Sequence, residues 1–333
     1  MKAKFPVIDV HNHIFGDAPA KNVVRVMDAA GVKTFVNLTG NARLPIDGKS
    51  YTIERTEFST FVKSHINRYP GRFRAFTMSD FAKWGDFKLI NDDNFAQCCV
   101  EHLCEDIKKG ACGLKITKEL GLRFKDKSGK LIKIDDRRLD PIWQEAAKLK
   151  IPVLIHTSDP VAFFLPMNKD NEHYSTLKEF PAWSFSSKKF PGKMDLMHQR
   201  ERLIASNRKT TFICPHVANY PENIEYVSDF LDKNKNVYID FSARIDELGR
   251  QPYTSRKFFI KYQDRILFGL DMPVSTEAYS SYFRFLETDD EYFDYPDYLG
   301  RFGHCRWKIY GLNLPDDVLK KIYYKNAERV LCL

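Results

Sequence analysis

Nine histidines are spread along the chain, and two of them stand two residues apart in Val7-Ile8-Asp9-Val10-His11-Asn12-His13. The apolar run before them reads as a strand, in which residues two apart point to the same side. His11 and His13 can then aim both imidazoles at one point. Two neutral imidazoles at this spacing make half of a site for Zn²⁺ or a similar divalent ion. Alone, such a pair is more often a surface or capping feature. Three further residues share its setting. His156 ends Pro-Val-Leu-Ile-His, His216 ends Phe-Ile-Cys-Pro-His and Asp271 ends Ile-Leu-Phe-Gly-Leu-Asp. Each stands where a buried strand gives way to loop. One such histidine would read as a satisfied core residue. Four histidines and an aspartate, all at C-terminal strand ends, converge on one point if the strands close into a barrel.

The elements that must hold them recur along the chain. Apolar, β-branched runs predict strands at 6–10, 34–38, 73–78, 113–116, 153–156, 211–214, 237–241 and 266–270. Between them Val23, Val26, Met27 and Ala30 repeat at helical spacing, and Gly31 stops them. Phe58, Phe61, Val62, His65 and Ile66 do the same. Asp140-Pro141 starts a further helix, with an acid before a first-turn proline. Helical spacing returns at 194–208, 222–231 and 255–262. A closing helix at 315–331 turns Leu319, Ile322, Tyr323 and Val330 inward, with Asp316-Asp317 at its positive end. Eight strands alternating with helices make an open parallel sheet or a (β/α)₈ TIM barrel. No glycine-rich turn follows the first strand, which argues against a dinucleotide-binding sheet. The expected fold is therefore a TIM barrel spanning 1–333 as one domain. It carries insertions after strands 5 and 8, at 160–193 and 275–307, and a C-terminal helix. Both insertions are rich in aromatic residues, including Phe163, Phe164, Trp183 and Phe185 in the first and Tyr279, Tyr282, Phe283 and Tyr298 in the second. They leave the mouth of the barrel and read as lids or pocket walls, or else as a contact between two copies in a homo-dimer.

Composition narrows the function. A formal net charge of +8 is distributed as mixed charge and not as a basic block, which argues against a nucleic-acid surface. The excess can steer an acidic small molecule towards the site. No apolar run reaches the length of a membrane span, and the first residues already read as a strand and not a leader. Seven cysteines without CxxC pairs suit reduced thiols in a cytoplasmic protein.

In order and placement, the His-Asn-His after the first strand, His156 and His216 after the fifth and sixth, and Asp271 after the eighth resemble the amidohydrolase superfamily. Phe-Gly-Leu-Asp-Met-Pro and the closing Tyr-Lys-Asn-Ala-Glu-Arg-Val-Leu resemble its amidohydrolase-related branch. That branch includes aminocarboxymuconate-semialdehyde decarboxylases and sugar or pyrone lactonases. The resemblance runs from about Val7 to Val330. It implies that His11, His13, His156 and Asp271 bind one divalent ion, Zn²⁺ first and Mn²⁺ as the alternate. It implies that His216 is catalytic without binding metal, and that Asp271 also moves a proton. Three imidazoles and a carboxylate leave about +1 charge around Zn²⁺ and room for water. Asp9 is expected to point inward and orient a ligand histidine, or else to be a polar residue of the barrel interior bonded elsewhere.

Lys115, in Gly-Leu-Lys-Ile, has three readings: a carboxylated bridge to a second metal, a clamp for a substrate carboxylate, or a structural ion pair. The clamp is preferred. Arg43 and Arg244 could bind a carboxylate bidentately, or could serve as structural partners. His173 and His304 lie in the insertions as candidate substrate contacts. The expected activity is hydrolysis of an ester, lactone or amide by metal-activated water. The alternatives are non-oxidative decarboxylation of a small aromatic or unsaturated acid, and a barrel that binds a ligand without catalysis.

Overall fold

A computed structural model describes residues 1–16, 18–47, 50–82, 88–90, 94–295 and 305–332. Tyr298 and His304 lie outside the described residues. The eight expected strands all form. β1 Val7–Asn12 pairs in parallel with β2 Val32–Asn37, and β2 with β3 Phe73–Ala75. β4 Leu114–Ile116, β5 Val153–Ile155, β6 Phe212–Cys214, β7 Val237–Asp240 and β8 Ile266–Leu267 pair in parallel in that order. Backbone hydrogen bonds join the two arcs on both sides. Cys112 N–H donates to Ala75 O at 2.9 Å and Lys115 N–H to Thr77 O at 2.8 Å. Across the other seam, Val10 N–H donates to Phe268 O at 2.9 Å and Asp271 N–H to His11 O at 2.8 Å. The ring is that of a TIM barrel.

Alternation along the strands decides what each residue meets. Val153 and Ile155 face the outer layer while Leu154 faces in; Phe212, Cys214 and Ile213 repeat the pattern. The interior is filled by Ile8, Val10, Val36, Leu38, Phe76, Leu154, Ile213 and Leu267. Each such side chain contributes about 1.5–3 kcal/mol by leaving water. The same alternation sends Lys115 inward, between the outward Leu114 and Ile116, where it is 2% exposed.

The outer layer is built by α1 Ala20–Ala30, α2 Phe58–Phe61, α3 Phe95–Lys108, α4 Asp140–Lys148, α5 Lys193–Ser206, α6 Ile224–Lys233, α7 Pro252–Lys261 and α8 Thr276–Glu287. α1 ends as its sequence implies: Gly31 is left-handed (φ 86°) and its N–H closes on Met27 O at 2.9 Å. Two helices differ from the sequence reading. The helical spacing in the sequence does not predict α3, although Phe95, Cys99 and Leu103 make its buried face. α8 falls within 275–307, and its Tyr279, Tyr282 and Phe283 are wholly buried in the outer layer instead of lining the mouth. The chain that extends the minimal barrel after β8 therefore begins beyond Glu287.

The N-terminal end of the barrel is stoppered. Asp316–Lys320, a π turn Lys321–Lys325 and Asn326–Leu331 form the closing helical segment. Its Ala327, Val330 and Leu331 join the interior cluster. Asn326 Nδ2 donates to Gln263 O (2.7 Å) and Ile266 O (2.8 Å), at the start of β8. The opposite end holds the polar residues.

Candidate metal centre

His11 lies where β1 loses its regular register with β2 and is fully buried. Room for it exists because Gly269 has no side chain: a Cβ there would sit 2.7 Å from His11 Cβ. Asp9 ties this end together. Its carboxylate accepts from Tyr279 OH (2.7 Å), Asn12 Nδ2 (3.1 Å), Leu270 N–H (3.1 Å) and His11 N–H (3.2 Å). It fastens β1 to the end of β8 and to α8, and orients no imidazole. Burial pushes its pKa up to about 7.

Asp240, at the end of β7, orients the ring instead. Its Oδ2 lies 2.8 Å from His11 Nδ1, and its Oδ1 accepts from Ser242 Oγ (2.6 Å), Ser242 N–H (3.0 Å) and His216 N–H (3.1 Å). An acceptor at Nδ1 puts the proton there and leaves the Nε2 lone pair of His11 free. His216 is fixed the same way, with Nδ1 2.7 Å from Ser242 O. His13 Nδ1 faces Thr39 Oγ1 at 3.4 Å. The three Nε2 atoms then turn to one carboxylate. They lie 3.5 Å (His11), 3.6 Å (His13) and 3.6 Å (His216) from Asp271 oxygens.

Those separations are too long for hydrogen bonds. His216 Nε2 is buried with no partner among the described residues. Ligands at ~2.1 Å around a tetrahedral ion stand ~3.4 Å apart, so the spacing suits a cation. Electrostatics agrees. Burial, aided by Lys115 for His11 and His13, holds His11, His13 and His216 well below the usual histidine range, in the neutral form that binds metal. Burial lowers His156 to about 4 and Lys115 to about 8, and raises Asp271 to about 6. The residues present fit a divalent ion.

The other sequence candidates fall at graded distances from this point. His156 packs against His216, ring centroids 4.6 Å apart, but its Nε2 turns to Ser158 O (3.1 Å) and Asp159 Oδ1 (3.6 Å). Lys115 Nζ is 3.5 Å from His11 Nε2, inside the site. Arg244 is half-buried, with Nη2 3.9 Å from Asp159. Arg43 lies in an exposed hairpin and pairs with Glu54 at 3.8 Å. The sequence reading missed Asp240, Ser242 and Asp159. Asp159 accepts from Lys118 Nζ at 2.6 Å; burial opposes its ionisation, but Lys118 and His156 outweigh this and hold it far below the carboxylate range. A charged residue inside the apolar run Val237–Asp240 was the available signal for Asp240. Phe15 packs at a tilt against His13 and Tyr51 edge-on against Phe15, with centroids 5.7 Å (His13–Phe15) and 5.3 Å (Phe15–Tyr51).

The loop after β6 is strained. His216, Val217, Ala218 and Asn219 all have positive φ, between 50° and 60°, and so do Ala243 (51°) and Asp271 (48°). Two buried cations from α5 hold it: Lys193 Nζ donates to Asn219 O (2.5 Å) and Asp159 O (2.6 Å), and Arg200 Nη1 to Ala218 O (2.6 Å). Strain of this kind gathers at sites that need a fixed geometry.

Residues 8–333 match the family model described as Amidohydrolase. The chain belongs to that family, whose members are enzymes. No curated protein matches it in sequence. Among solved structures it is similar to an uncharacterized TIM-barrel protein from Bordetella bronchiseptica, at 15% identity and TM-score 0.57, covering 98% of this chain and 99% of that one. It is similar to a dihydroxybenzoic acid decarboxylase from Polaromonas sp. JS666 with bound manganese and the inhibitor 2-nitroresorcinol, at 15% identity and TM-score 0.56, covering 99% and 97%. It is also similar to a probable 2-pyrone-4,6-dicarboxylic acid hydrolase from Acinetobacter baumannii with citric acid bound, at 12% identity and TM-score 0.53, covering 98% and 99%. Among the described residues no helix is long and apolar enough to cross a membrane.

Proposed function

We propose that the chain is a metal-dependent hydrolase of a small acidic ester, lactone or amide. The observation that carries this reading is the turning of the neutral His11 and His13 Nε2 atoms towards Asp271 without hydrogen bonds between them, with the unpartnered Nε2 of His216 beside them. His11, His13 and Asp271 would hold one divalent ion, Zn²⁺ first and Mn²⁺ next, with His156, whose Nε2 faces Ser158 O in this structure, as the fourth ligand. When bound, the ion polarises a substrate oxygen and makes water acidic.

The chain's own residues do the rest. His216 Nδ1 donates to Ser242 O, so its bare Nε2 accepts a proton. It takes that proton from water as the water oxygen bonds to the carbonyl carbon. The bond from that carbon to the leaving oxygen or nitrogen then breaks, and His216 returns the proton to the leaving atom. Asp271, 3.6 Å from Nε2, stabilises the imidazolium in between. Lys115 and Arg244 attract the substrate's carboxylate, and Phe15 and Tyr51 offer aromatic edges and faces beside His13. Arg43, exposed on its hairpin, would meet a substrate only at the rim. Seven free thiols suit a cytoplasmic setting.

A second reading is favoured by Lys115. A buried ammonium with its pKa brought down to about 8 beside the ligands can deliver the proton that replaces CO₂ in a non-oxidative decarboxylation. The structural neighbours include enzymes of both kinds. Metal-loaded protein assayed on carboxylated lactones and on hydroxybenzoates separates the readings. Acid release without CO₂ supports hydrolysis; CO₂ release overturns it; neither, across both panels, removes catalysis. His216→Ala is expected to keep its metal and lose about 10²–10⁴-fold in turnover, whereas His156→Ala loses metal. Metal loss in His216→Ala instead would make that residue the fourth ligand.

A further inference from the structure

Outside the histidine cluster, a second group of metal-ligand side chains is buried at the mouth. His173 comes from the first insertion, and Asp246 and Glu247 from the short helix Ile245–Leu248 after β7. Each brings a donor atom within 4.8 Å of the others, and all three are only 2–3% exposed. His173 Nε2 is aimed at Glu247 Oε1 from 3.4 Å. Yet neither ring nitrogen, neither Glu247 oxygen nor Asp246 Oδ1 makes a hydrogen bond among the described residues.

Buried polar atoms are normally satisfied, and two adjacent buried carboxylates cannot both stay ionised without a cation. Arg244 is a fixed charge that acts on both carboxylates. Burial opposes its charge, but Glu247 and Asp246 more than offset that. Its Nε has no acceptor, and Nη2 reaches towards Asp159, on the other side. The carboxylates are thus left short of donors. An open cavity of about 300 Å³, lined by Glu172, Glu222, Glu247, Arg250 and Gln251, borders the group and admits solvent and ions.

We propose that His173, Asp246 and Glu247 form a second site for a divalent transition-metal ion such as Zn²⁺ or Mn²⁺. One imidazole and two carboxylates are a donor set such ions accept. The site gathers segments that are far apart in sequence. Trp307, from the extension after β8, donates its indole N–H to Asp246 O at 3.0 Å and packs edge-on against His173 at 5.5 Å. An ion here ties both extensions to the barrel rim, whatever reaction the histidine cluster performs.

The test counts metal in the full chain, purified without a metal-binding tag and dialysed against Zn²⁺ or Mn²⁺ alone. Wild type is expected to hold one equivalent more than Glu247→Gln or His173→Gln. A His11→Ala/His13→Ala double variant, which disables the first cluster, is expected to keep that equivalent, so each site can fail on its own. Circular dichroism establishes that each variant folds, and either single substitution suffices if the other does not. Equal counts in wild type and Glu247→Gln, with no ion left in the double variant, overturn the proposal and leave the carboxylates sharing a proton.

Discussion

The two ends of the barrel are built on opposite principles. At the N-terminal end, Ala327, Val330 and Leu331 join the apolar interior layer of Ile8, Val36 and Leu267. At the C-terminal end, four histidines, Asp240, Asp271 and Lys115 lie within one or two contacts of each other and are buried or half-buried. Burial stabilises the fold at the first end, whereas at the second it keeps imidazoles neutral and a carboxylate hard to ionise. The barrel can afford the costly end because the other is a plain hydrophobic core.

Substitutions can break this contrast. The largest effect on the fold is expected from Leu267→Ala, which opens a hole in the interior layer. It should cost about 2–5 kcal/mol of stability, read from chemical denaturation, with turnover per folded molecule little changed. A large loss of turnover at full folding would mean that the two ends are coupled. Asp240→Asn should do the reverse. It removes the charge that fixes the His11 tautomer, so metal affinity should fall about 10–100-fold with little change in the denaturation midpoint. Unchanged affinity would remove Asp240 from the site.

How much of this was legible beforehand follows the same divide. The eight strands and the strand-end residues could be read because period-two alternation and barrel geometry are local rules. Asp240 could not be assigned a role: its partner His11 is 229 positions away, and a lone carboxylate at a strand end carries no sign of what it accepts. Asp9 was read from its spacing to His11, yet Tyr279, 270 positions on, supplies its strongest bond. α3 was overlooked because its buried face contains Cys99 and Asp106 besides Phe95 and Leu103. Asp106 is tolerated there through a 2.6 Å bond from Thr77 Oγ1. The aromatic residues of α8 suggested a lid because only tertiary packing tells a core helix from a pocket wall.

The smallest effect concerns pH, away from both ends. His65 stacks on Phe61 at 4.4 Å, and burial lowers its pKa from 6.5 to about 4. The unfolded chain therefore binds the proton first. The stability His65 contributes is complete above pH 6.5 and is lost as pH falls through about 4. His65→Phe is expected to flatten part of the decline in melting temperature between those values. An unchanged slope would show that His65 takes no part in the decline.

The left-handed run from His216 to Asn219 has a consequence for how rigidity is distributed in the molecule. Each non-glycine residue in that conformation lies roughly 1–2 kcal/mol above its relaxed state, and Val217, being β-branched, is among the least suited to it. The turn that carries His216 therefore works as a loaded spring, latched by Lys193 and Arg200 from a helix on the outer layer. Those two cations touch no substrate in the proposed reaction, yet the shape of the site depends on them, so part of the catalytic apparatus lies in the wall of the barrel and not in its mouth.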